Sequence, residues 1–351
     1  SLRYTGINRF LQSSGELYVT PGNSRLYLLG QYWVDLSLPE QDTVLQKLPE
    51  VGYAIHPTNL GPFVFTLSSS AANFYRDEGI KGQRLDVFPT ISYSFGDAVQ
   101  LFQSLSVRET AYFLNQDEPF GSSPHRESLE YRANAQMRFV KNYGSVMHIF
   151  EPSLEYAFIP HTKDVPLFDS VDLFDRISTL RLTLSNVLSG GGLSLWFRLI
   201  QGYDLDPNGP AEPFLPTRFQ ATVVSPFPLR MDMSYDFNTG KMETFNAETG
   251  IRLFDRVTLS VADRYSRTDN VQYYSASAMA TVTPRLSLGG SVSYDATGVG
   301  LREYVIRSIY NDQCWGVTAA FTRRPPTTTN SADYNFFVMV ELKGLAKFRL
   351  L

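Results

Sequence analysis

Hydrophobic and polar residues alternate along much of this chain, most regularly over Leu229–Phe237. Every second residue of that segment is apolar, and Arg230, Asp232, Ser234 and Asp236 fill the positions between. Because successive side chains of a β-strand point to opposite faces, the segment predicts a strand with one apolar and one charged face. The alternation returns in four further segments: 245–253, 286–295, 314–322 and 334–343. The pattern therefore predicts a large sheet whose two faces differ in polarity.

The pattern predicts about 19 strands, most of them 10 to 16 residues long. They cover residues 14–20, 24–37, 48–56, 61–75, 82–95, 98–114, 126–141, 145–159, 176–188, 192–204, 216–225, 228–238, 243–254, 256–266, 270–282, 285–295, 299–310, 313–324 and 333–344. Strands of soluble proteins usually have about 5–6 residues, whereas about 9–11 residues are needed to cross a membrane. The lengths therefore favour membrane-crossing strands.

Short and long connections alternate along the chain. Some are turns of two residues, such as 96–97 and 283–284, whereas most of those between are longer and polar, such as 116–126, 161–175 and 204–213. Outer-membrane barrels have short turns at one rim and longer loops at the other. We therefore predict an all-β fold, a transmembrane antiparallel up-and-down β-barrel, integral to the bacterial outer membrane.

The order of the connections also predicts where the chain lies in such a barrel. If the short turns face the periplasm, the last predicted strand ends there and the first residues lie at the outer rim. A barrel cannot begin at that rim, and the predicted strand number is odd, whereas most single-chain bacterial barrels have an even number. We therefore expect residues 1–351 to form about 19–20 strands of a larger barrel, with further strands and an N-terminal domain upstream.

The composition agrees with a membrane barrel. The chain is 43% hydrophobic and 14% aromatic, but only 19% charged, below the roughly one quarter that is usual for soluble domains. A net charge of -4, without a basic stripe, carries no nucleic-acid signature. The sequence has no run of about 18 apolar residues, so it predicts no transmembrane helix.

Patterns typical of catalytic and metal-binding sites are missing from the sequence. The four histidines, His56, His125, His148 and His161, do not pair at a metal-ligand spacing. There is no Gly-x-Ser-x-Gly motif, and no Gly-Lys-Ser or Gly-Lys-Thr follows the glycines at 190–192. We therefore predict neither enzyme activity nor a metal or other cofactor.

Charged residues on the polar faces of the predicted strands would point into a barrel lumen. The candidates for such luminal charges are Arg230, Asp232, Asp236, Arg252, Arg264 and Arg307. Cys314 is the single cysteine, so the chain has no internal disulfide. Its thiol is expected either to bond to a partner elsewhere or to lie buried.

Several segments resemble, in their order and spacing, the LptD (OstA) family of lipopolysaccharide-assembly outer-membrane proteins. Segment 148–160 is similar to the family's Glu-Pro-x-x-x-Tyr-x-x-x-Pro strand. Segments 48–51 and 84–93 resemble earlier strands of that barrel. Segment 313–324, with 336–345, resembles its C-terminal hairpin. The resemblance spans roughly residues 48–348.

This resemblance implies a barrel of about 26 strands, within the range of such barrels, that inserts lipopolysaccharide into the outer leaflet through its lumen and a lateral seam. It further implies an N-terminal periplasmic jelly roll, which would lie outside this chain together with the first barrel strands. The partners implied are an LptE-like plug lipoprotein in the lumen, and periplasmic Lpt bridge proteins that reach the missing domain. Transport of this kind involves no bond chemistry in the barrel.

The resemblance also assigns roles to particular residues. Cys314 matches the C-terminal cysteine region that, in the family, bonds to cysteines of the N-terminal domain, although relatives often have two adjacent cysteines there. The predicted strand 333–344 matches the last strand, one side of the lateral seam. The side chains expected to meet lipid on this strand are Tyr334, Phe336, Val338, Val340 and Leu342.

The luminal arginines have two interpretations. Arg230, Arg252, Arg264 and Arg307 could contact the phosphates of the lipid, since the guanidinium group binds phosphate through a planar fork. The alternative is that they balance the acidic side chains of the lumen, which the residue types favour.

Two other functions remain open from the sequence. A general or substrate-specific porin would have the same strands and a passive lumen, and a soluble β-sheet binding protein would have alternating strands without a membrane. Pro49, Pro89 and Pro152 lie within predicted strands, where each removes a backbone donor. We expect bulges or bends at these positions.

Overall fold

The computed structural model describes residues 10–116, 119–173, 175–206, 209, 212–225, 227–298, 300–326, 331–343 and 346–350. These residues form 21 β-strands: β1 (Phe10–Val19), β2 (Ser24–Asp35), β3 (Gln46–Leu60), β4 (Phe63–Tyr75), β5 (Gly82–Phe95), β6 (Val99–Leu114), β7 (His125–Met137), β8 (Phe139–Tyr143), β9 (Val146–Ile159), β10 (Ile177–Gly190), β11 (Leu193–Asp204), β12 (Thr217–Ser225), β13 (Leu229–Asp236), β14 (Lys241–Leu253), β15 (Val257–Ser266), β16 (Val271–Thr283), β17 (Leu286–Asp295), β18 (Gly300–Asn311), β19 (Trp315–Arg324), β20 (Asp333–Leu342) and β21 (Ala346–Leu350). The described ranges contain no helix that is long and apolar enough to span a membrane.

Every predicted strand is present, with two differences in number. The strand predicted over 126–141 is interrupted at Arg138 and forms β7 and β8. Arg138 lies beside Glu151 (Nε to Oε1, 3.4 Å), next to Pro152, which has no N–H to donate to a neighbouring strand. The second difference is β21, which pairs with β20 and which sequence analysis missed. Its five residues are too few for a convincing alternation.

The prolines have different effects on strand pairing. Pro49 coincides with a register shift between Lys47 and Glu50 in the pairing of β3 with β4, so the predicted bulge is confirmed. Pro89 causes no register shift: it pairs with Leu67 of β4, whereas the pairing of β5 with β6 has a gap between Val87 and Thr90.

The chain divides into two compact units. The first contains Ser1–Met137, Ser153–Leu180 and Asp204–Gly209, and the second contains Arg138–Pro152, Arg181–Tyr203 and Pro210–Leu351. In the first unit β1 to β7 pair in chain order, each antiparallel to the next. In the second unit β11 to β21 do the same. The predicted all-β, antiparallel up-and-down fold is confirmed.

The first unit buries charged side chains and exposes apolar ones. Asp35, Arg84, Asp86 and Arg126 are each 3% exposed or less. Large apolar side chains on the opposite face are more than one third exposed: Leu26, Leu28, Val51, Tyr53, Leu85, Leu105, Val107 and Leu129. A soluble domain has the reverse arrangement, because charged side chains are almost never fully buried without a partner. The apolar face is therefore suited to contact with lipid.

In the second unit, cross-strand pairs also separate a polar face of the sheet from an apolar face. Asp232 of β13 lies opposite Gln220 of β12 and Asn246 of β14. Its neighbour Met233 lies opposite Phe219 and Phe245. Directly opposite residues in an antiparallel sheet point to the same side, so these strands share one polar and one apolar face.

Candidate functional site

A connection of the first unit folds onto the polar face of its own sheet. Residues 160–173, here named the docked loop, follow β9 and lack regular secondary structure apart from turns. Val165 and Asp172 of this loop are buried. The sequence predicts one of the longer polar loops here. That prediction is wrong for residues 160–173, because apolar and acidic side chains of this segment pack against β3 to β7.

Arg84 of β5 holds the docked loop through two carboxylates. Its Nη1 donates to Asp169 Oδ1 at 2.6 Å and to both oxygens of Asp172 at 2.9 and 3.0 Å. Its Nη2 donates to Asp169 Oδ2 at 3.0 Å. The side chain of Arg84 is 1% exposed and that of Asp172 is 0% exposed. A buried ion pair stabilises a structure only when its remaining donors and acceptors are satisfied, and here most of them are.

Asp172 is the centre of the network. Besides Arg84, its carboxylate accepts the Tyr112 hydroxyl at 2.6 Å and the backbone N–H groups of Phe168 and Asp169 at 2.8 and 3.1 Å. Its backbone carbonyl accepts Arg126 Nη1 at 3.0 Å. Side chains of three strands and two backbone groups of the loop therefore converge on this one residue.

Aromatic packing holds the same loop. The ring of Phe168 stacks on Phe74 of β4 with a centroid distance of 4.6 Å, and it lies 6.2 Å from the ring of Tyr112. The guanidinium group of Arg84 lies 4.9 Å from the centroid of Phe74. The loop is thus fixed by ion pairs and by an aromatic stack at one place.

Charge balance at the docked loop affects the titration of Asp169. Burial alone would raise the pKa of Asp169, but the hydrogen bonds and positive charge of Arg84 outweigh burial and hold that pKa below its usual value of 3.8. Lys47 adds a smaller contribution, with Nζ 3.4 Å from Asp169 Oδ2. Asp169 is therefore charged at neutral pH.

A cleft of about 540 Å³ opens beside the docked loop. Its walls include Trp33, Val44, Lys47, Phe74 and Phe168. The wall is mostly apolar, but it also carries the carboxylates of Asp35 and Asp169 beside the Lys47 ammonium group. Lys47 pairs with Glu50 at 2.8 Å and with Asp169 at 3.4 Å, so its charge is already balanced.

Of the predicted luminal charges, Asp232 is the one with a complete set of partners. It accepts Arg218 Nε at 2.9 Å and Gln220 Nε2 at 2.8 Å. Asp236, at the end of β13, instead accepts the backbone N–H of Asn238 and the hydroxyl of Thr239. Asp236 therefore stabilises a turn at the rim of the sheet.

The four predicted arginines lie on the same polar face but are not brought together. Arg230 lies opposite Glu248, Arg264 opposite Asn246, and Arg307 opposite Gly289. Arg252 is at the other end of β14, where it donates to the carbonyl of Asp255 at 3.1 Å. No single phosphate could contact all four, and within the described ranges no three His, Cys, Asp or Glu side chains converge to hold a metal ion.

The strand predicted as one side of a seam is β20, but it is not the last strand. β21 pairs with Val338 to Leu342, whereas among the described residues Asp333 to Phe337 pair with β19 alone. Tyr334 and Phe336 are 61% and 67% exposed. The predicted lipid face, which also holds Val338, Val340 and Leu342, remains a prediction.

Cys314 lies immediately before β19 and not within it, and its thiol is free and exposed. Its carbonyl accepts the backbone N–H of Lys343 at 2.9 Å. Of the two expectations for Cys314, the exposed thiol disagrees with a buried side chain and is compatible with a bond to a partner elsewhere.

Comparison with known proteins decides the family. The sequence profile of LptD, described as LPS transport system D, matches residues 4–183, which is just over half of the 351 residues. The chain belongs to the LptD family. Membership makes it an integral protein of the outer membrane, in a family whose role is lipopolysaccharide transport.

Other comparisons add less than the LptD match. A search of curated proteins found no match. Among solved structures, the siderophore receptor PirA from Acinetobacter baumannii is 10% identical, with 97% of this chain and 72% of that one covered and a TM-score of 0.44. The siderophore receptor PiuA from the same organism is 9% identical, with coverages of 95% and 73% and a TM-score of 0.39. The copper transporter OprC is 10% identical, with coverages of 95% and 73% and a TM-score of 0.37. No conclusion about this LptD-family chain rests on these three.

The docked loop lies within the segment that matches LptD, yet sequence analysis did not identify its residues. One signal was present, because Val165, Leu167, Phe168 and Val171 are apolar in a segment that alternation assigns to a connection. The partners Arg84 and Tyr112 lie 85 and 60 positions away from Asp169 and Asp172 respectively. Separations of this size are not visible as a motif.

Proposed function

We propose that this chain is the barrel portion of a translocon that inserts lipopolysaccharide into the outer leaflet. The sugar and phosphate groups move along the polar face, and the acyl chains leave beside β20. The observation that carries the proposal is the inverted burial of the first unit, where Arg84 and Asp172 are buried while Leu28 and Leu85 are exposed. Combined with LptD-family membership, this inversion supports a polar route inside an apolar wall.

The chemistry of the lipid fits the two faces. Lipopolysaccharide joins anionic sugars and phosphates to acyl chains, so its two parts need different surroundings. A polar face lined by arginines, lysines and carboxylates can solvate the sugars, whereas a charged headgroup cannot cross hydrocarbon unaided. The cleft beside Lys47 combines the apolar side chains of Trp33 and Phe168 with charged groups of both signs. The docked loop covers the polar face at this place, and its displacement would widen the route.

Partners and covalent links are proposed on the family resemblance. An LptE-like lipoprotein plugs the lumen, and periplasmic Lpt bridge proteins deliver lipid through an N-terminal domain. Cys314 bonds to a cysteine of that domain, which its exposed thiol permits. The barrel itself makes and breaks no bonds of the lipid, so the function is transport and not catalysis.

The test is time-resolved photo-cross-linking in cells that produce the whole protein. A photoreactive residue replaces Phe336 on the apolar face of β20, and in a matched variant it replaces Ile251 on the apolar face of β14. Newly labelled lipopolysaccharide is expected to form adducts at position 336 before position 251. A porin would show adducts with bulk lipid at both positions at the same time, and that result would refute the proposal.

A further inference from the structure

Arg323 is a cation on the apolar face of the second unit. It lies one residue before the end of β19, directly opposite Tyr304 of β18 and Tyr334 of β20. Its guanidinium carbon is 5.8 Å from the centroid of Tyr304 and 5.6 Å from that of Tyr334. Its Nη1 is 3.5 Å from the Tyr304 hydroxyl. The three side chains form one row across three strands.

The charge of Arg323 has no carboxylate to balance it among the described residues. The next residue, Arg324, points to the opposite face and pairs with Glu303 and Asp333, each at 2.9 Å. Arg323 instead lies over the rings of Tyr304 and Tyr334, and its Nε is buried without a hydrogen-bond partner among the described residues. A cation–π contact stabilises a guanidinium group but leaves its positive charge in place. The row therefore presents a net positive charge.

Apolar side chains lie next to this row in the direction of the strand interior. The adjacent row is Ile306, Phe321 and Phe336, which are direct cross-strand partners. Ile306 and Phe336 are 61% and 67% exposed. The surface thus has a cation near the strand end and hydrocarbon beside it. A lipid has the same arrangement, with an anionic headgroup at one end and acyl chains next to it.

We propose that Arg323, with the hydroxyls of Tyr304 and Tyr334, binds a phosphate of lipopolysaccharide on the outside of the barrel, while an acyl chain lies over Ile306 and Phe336. Guanidinium forks form strong charge-assisted hydrogen bonds with phosphate. The two tyrosines supply hydroxyl groups beside the cation.

The choice of lipid rests on the proposed function, because Tyr334 and Phe336 belong to β20, beside which the lipid is proposed to leave. A bound phosphate at this row would hold the molecule at the exit. This site differs from the predicted luminal arginines, which all lie on the other face.

The test measures binding without transport. The purified full-length protein carries a photoreactive residue in place of Leu288, on the apolar face of β17, and is titrated in detergent micelles with bisphosphorylated lipid A. The competitors are lipid A without its phosphates, phosphatidylglycerol and inorganic phosphate. Adduct yield against lipid concentration gives the apparent affinity. Migration on a gel with and without heating checks that each variant is folded.

We expect Arg323→Gln to weaken lipid A binding about tenfold or more, since hydrogen bonds to charged groups contribute roughly that factor. Arg324→Gln removes the neighbouring cation from the other face and should change the affinity less than about twofold. The wild-type protein should bind lipid A without its phosphates about tenfold or more weakly than it binds bisphosphorylated lipid A. This arm needs no variant at Arg323, so it holds even if that variant does not fold.

Equal binding of lipid A with and without its phosphates would overturn the site. Equal binding of phosphatidylglycerol, or full competition by inorganic phosphate, would overturn the assignment to lipopolysaccharide. Failure of the site is distinct from failure of the proposed function, which is measured as the order of labelling in cells. Lipid A binding that does not depend on its phosphates, together with a normal order of labelling in cells, would refute the site alone.

Discussion

Replacing Arg84 by methionine should release the docked loop. The substitution keeps an unbranched side chain of similar length but removes the charge and the four hydrogen bonds to Asp169 and Asp172. The carboxylate of Asp172, which is 0% exposed, would then lose its counter-charge. Removing one partner of a buried ion pair costs about 3–5 kcal/mol, largely because the other charge stays buried.

Hydrogen–deuterium exchange of the loop amides measures this loss. The N–H groups of Phe168 and Asp169 donate to Asp172, so they are protected only while the loop is docked. If local opening controls exchange, a loss of about 3–4 kcal/mol corresponds to a rate increase of roughly 10²–10³-fold. The protein is measured in detergent micelles at neutral pH, with peptides that cover residues 160–173.

Two variants separate the cause from a general loss of stability. Arg25→Met removes an ion pair with Glu16 whose side chains are 37% and 36% exposed, and such pairs contribute little. Its loop exchange should match the wild type. Adding Asp172→Asn to Arg84→Met removes the uncompensated charge and should recover part of the protection. Wild-type exchange in folded Arg84→Met would refute the reasoning.

Four further predictions concern other parts of the chain. Tyr112→Phe removes the hydroxyl that donates to Asp172 at 2.6 Å. It should weaken docking of the loop by about 1.5–3 kcal/mol, measured by the same hydrogen–deuterium exchange. A smaller increase in loop exchange than in Arg25→Met would contradict this. The pKa of Asp169 is below 3.8 when the loop is docked. The stability of the docked loop should therefore be constant from neutral pH to about 4 and should fall as the pH drops through that lowered pKa. A decline of exchange protection between pH 7 and 5 would contradict this. Val338→Lys, on the predicted lipid face of β20, should lower the free energy of unfolding in bilayers by about 2–4 kcal/mol. Met339→Lys, on the other face, should lower it far less. Equal losses of stability in urea unfolding would exclude a lipid face there. Cys314 should react with a maleimide in this chain. In a protein that also contains the N-terminal domain, it should react only after reduction, which non-reducing gels can show. A free Cys314 thiol in that protein would rule out the proposed disulfide.

The strands were predictable because their information is local. The alternation that predicts β13 covers nine consecutive residues, 229–237, and the polarity of each side chain is visible in the sequence. The same holds for β17, and for most of β14 and β19, where one face is mainly apolar. The break between β7 and β8 at Arg138 was not predictable from residues 126–141 alone. Its cause is on the neighbouring strand β9, where Pro152 has no N–H to donate. β21 was missed because five residues give too short a pattern.

The docked loop was not predictable because its contacts are distant in sequence. Asp169 and Asp172 belong to a connection, and nothing near them indicates that Arg84 lies 2.6 Å from Asp169. Their charges were compatible with a solvated loop. Only the pairing of β5 with β6 brings Arg84 opposite Tyr112 and creates a place where two acids can be buried together. The apolar residues of the loop were a signal that alternation alone could not interpret.

Arg84 and Arg323 show how the register of the strands determines the role of a residue type. Both arginines lie near the ends of long strands and both contact aromatic rings. Arg84 shares its face with two carboxylates, so its charge is neutralised and it serves to hold a loop. Arg323 lies on the other face, where its cross-strand neighbours are two tyrosines, and its charge stays available to a ligand. A shift of one residue in the pairing of β19 would move Arg323 to the polar face and bring Arg324 between the rings. The anion site therefore depends on the register of β18, β19 and β20, which the alternation of a single strand does not determine.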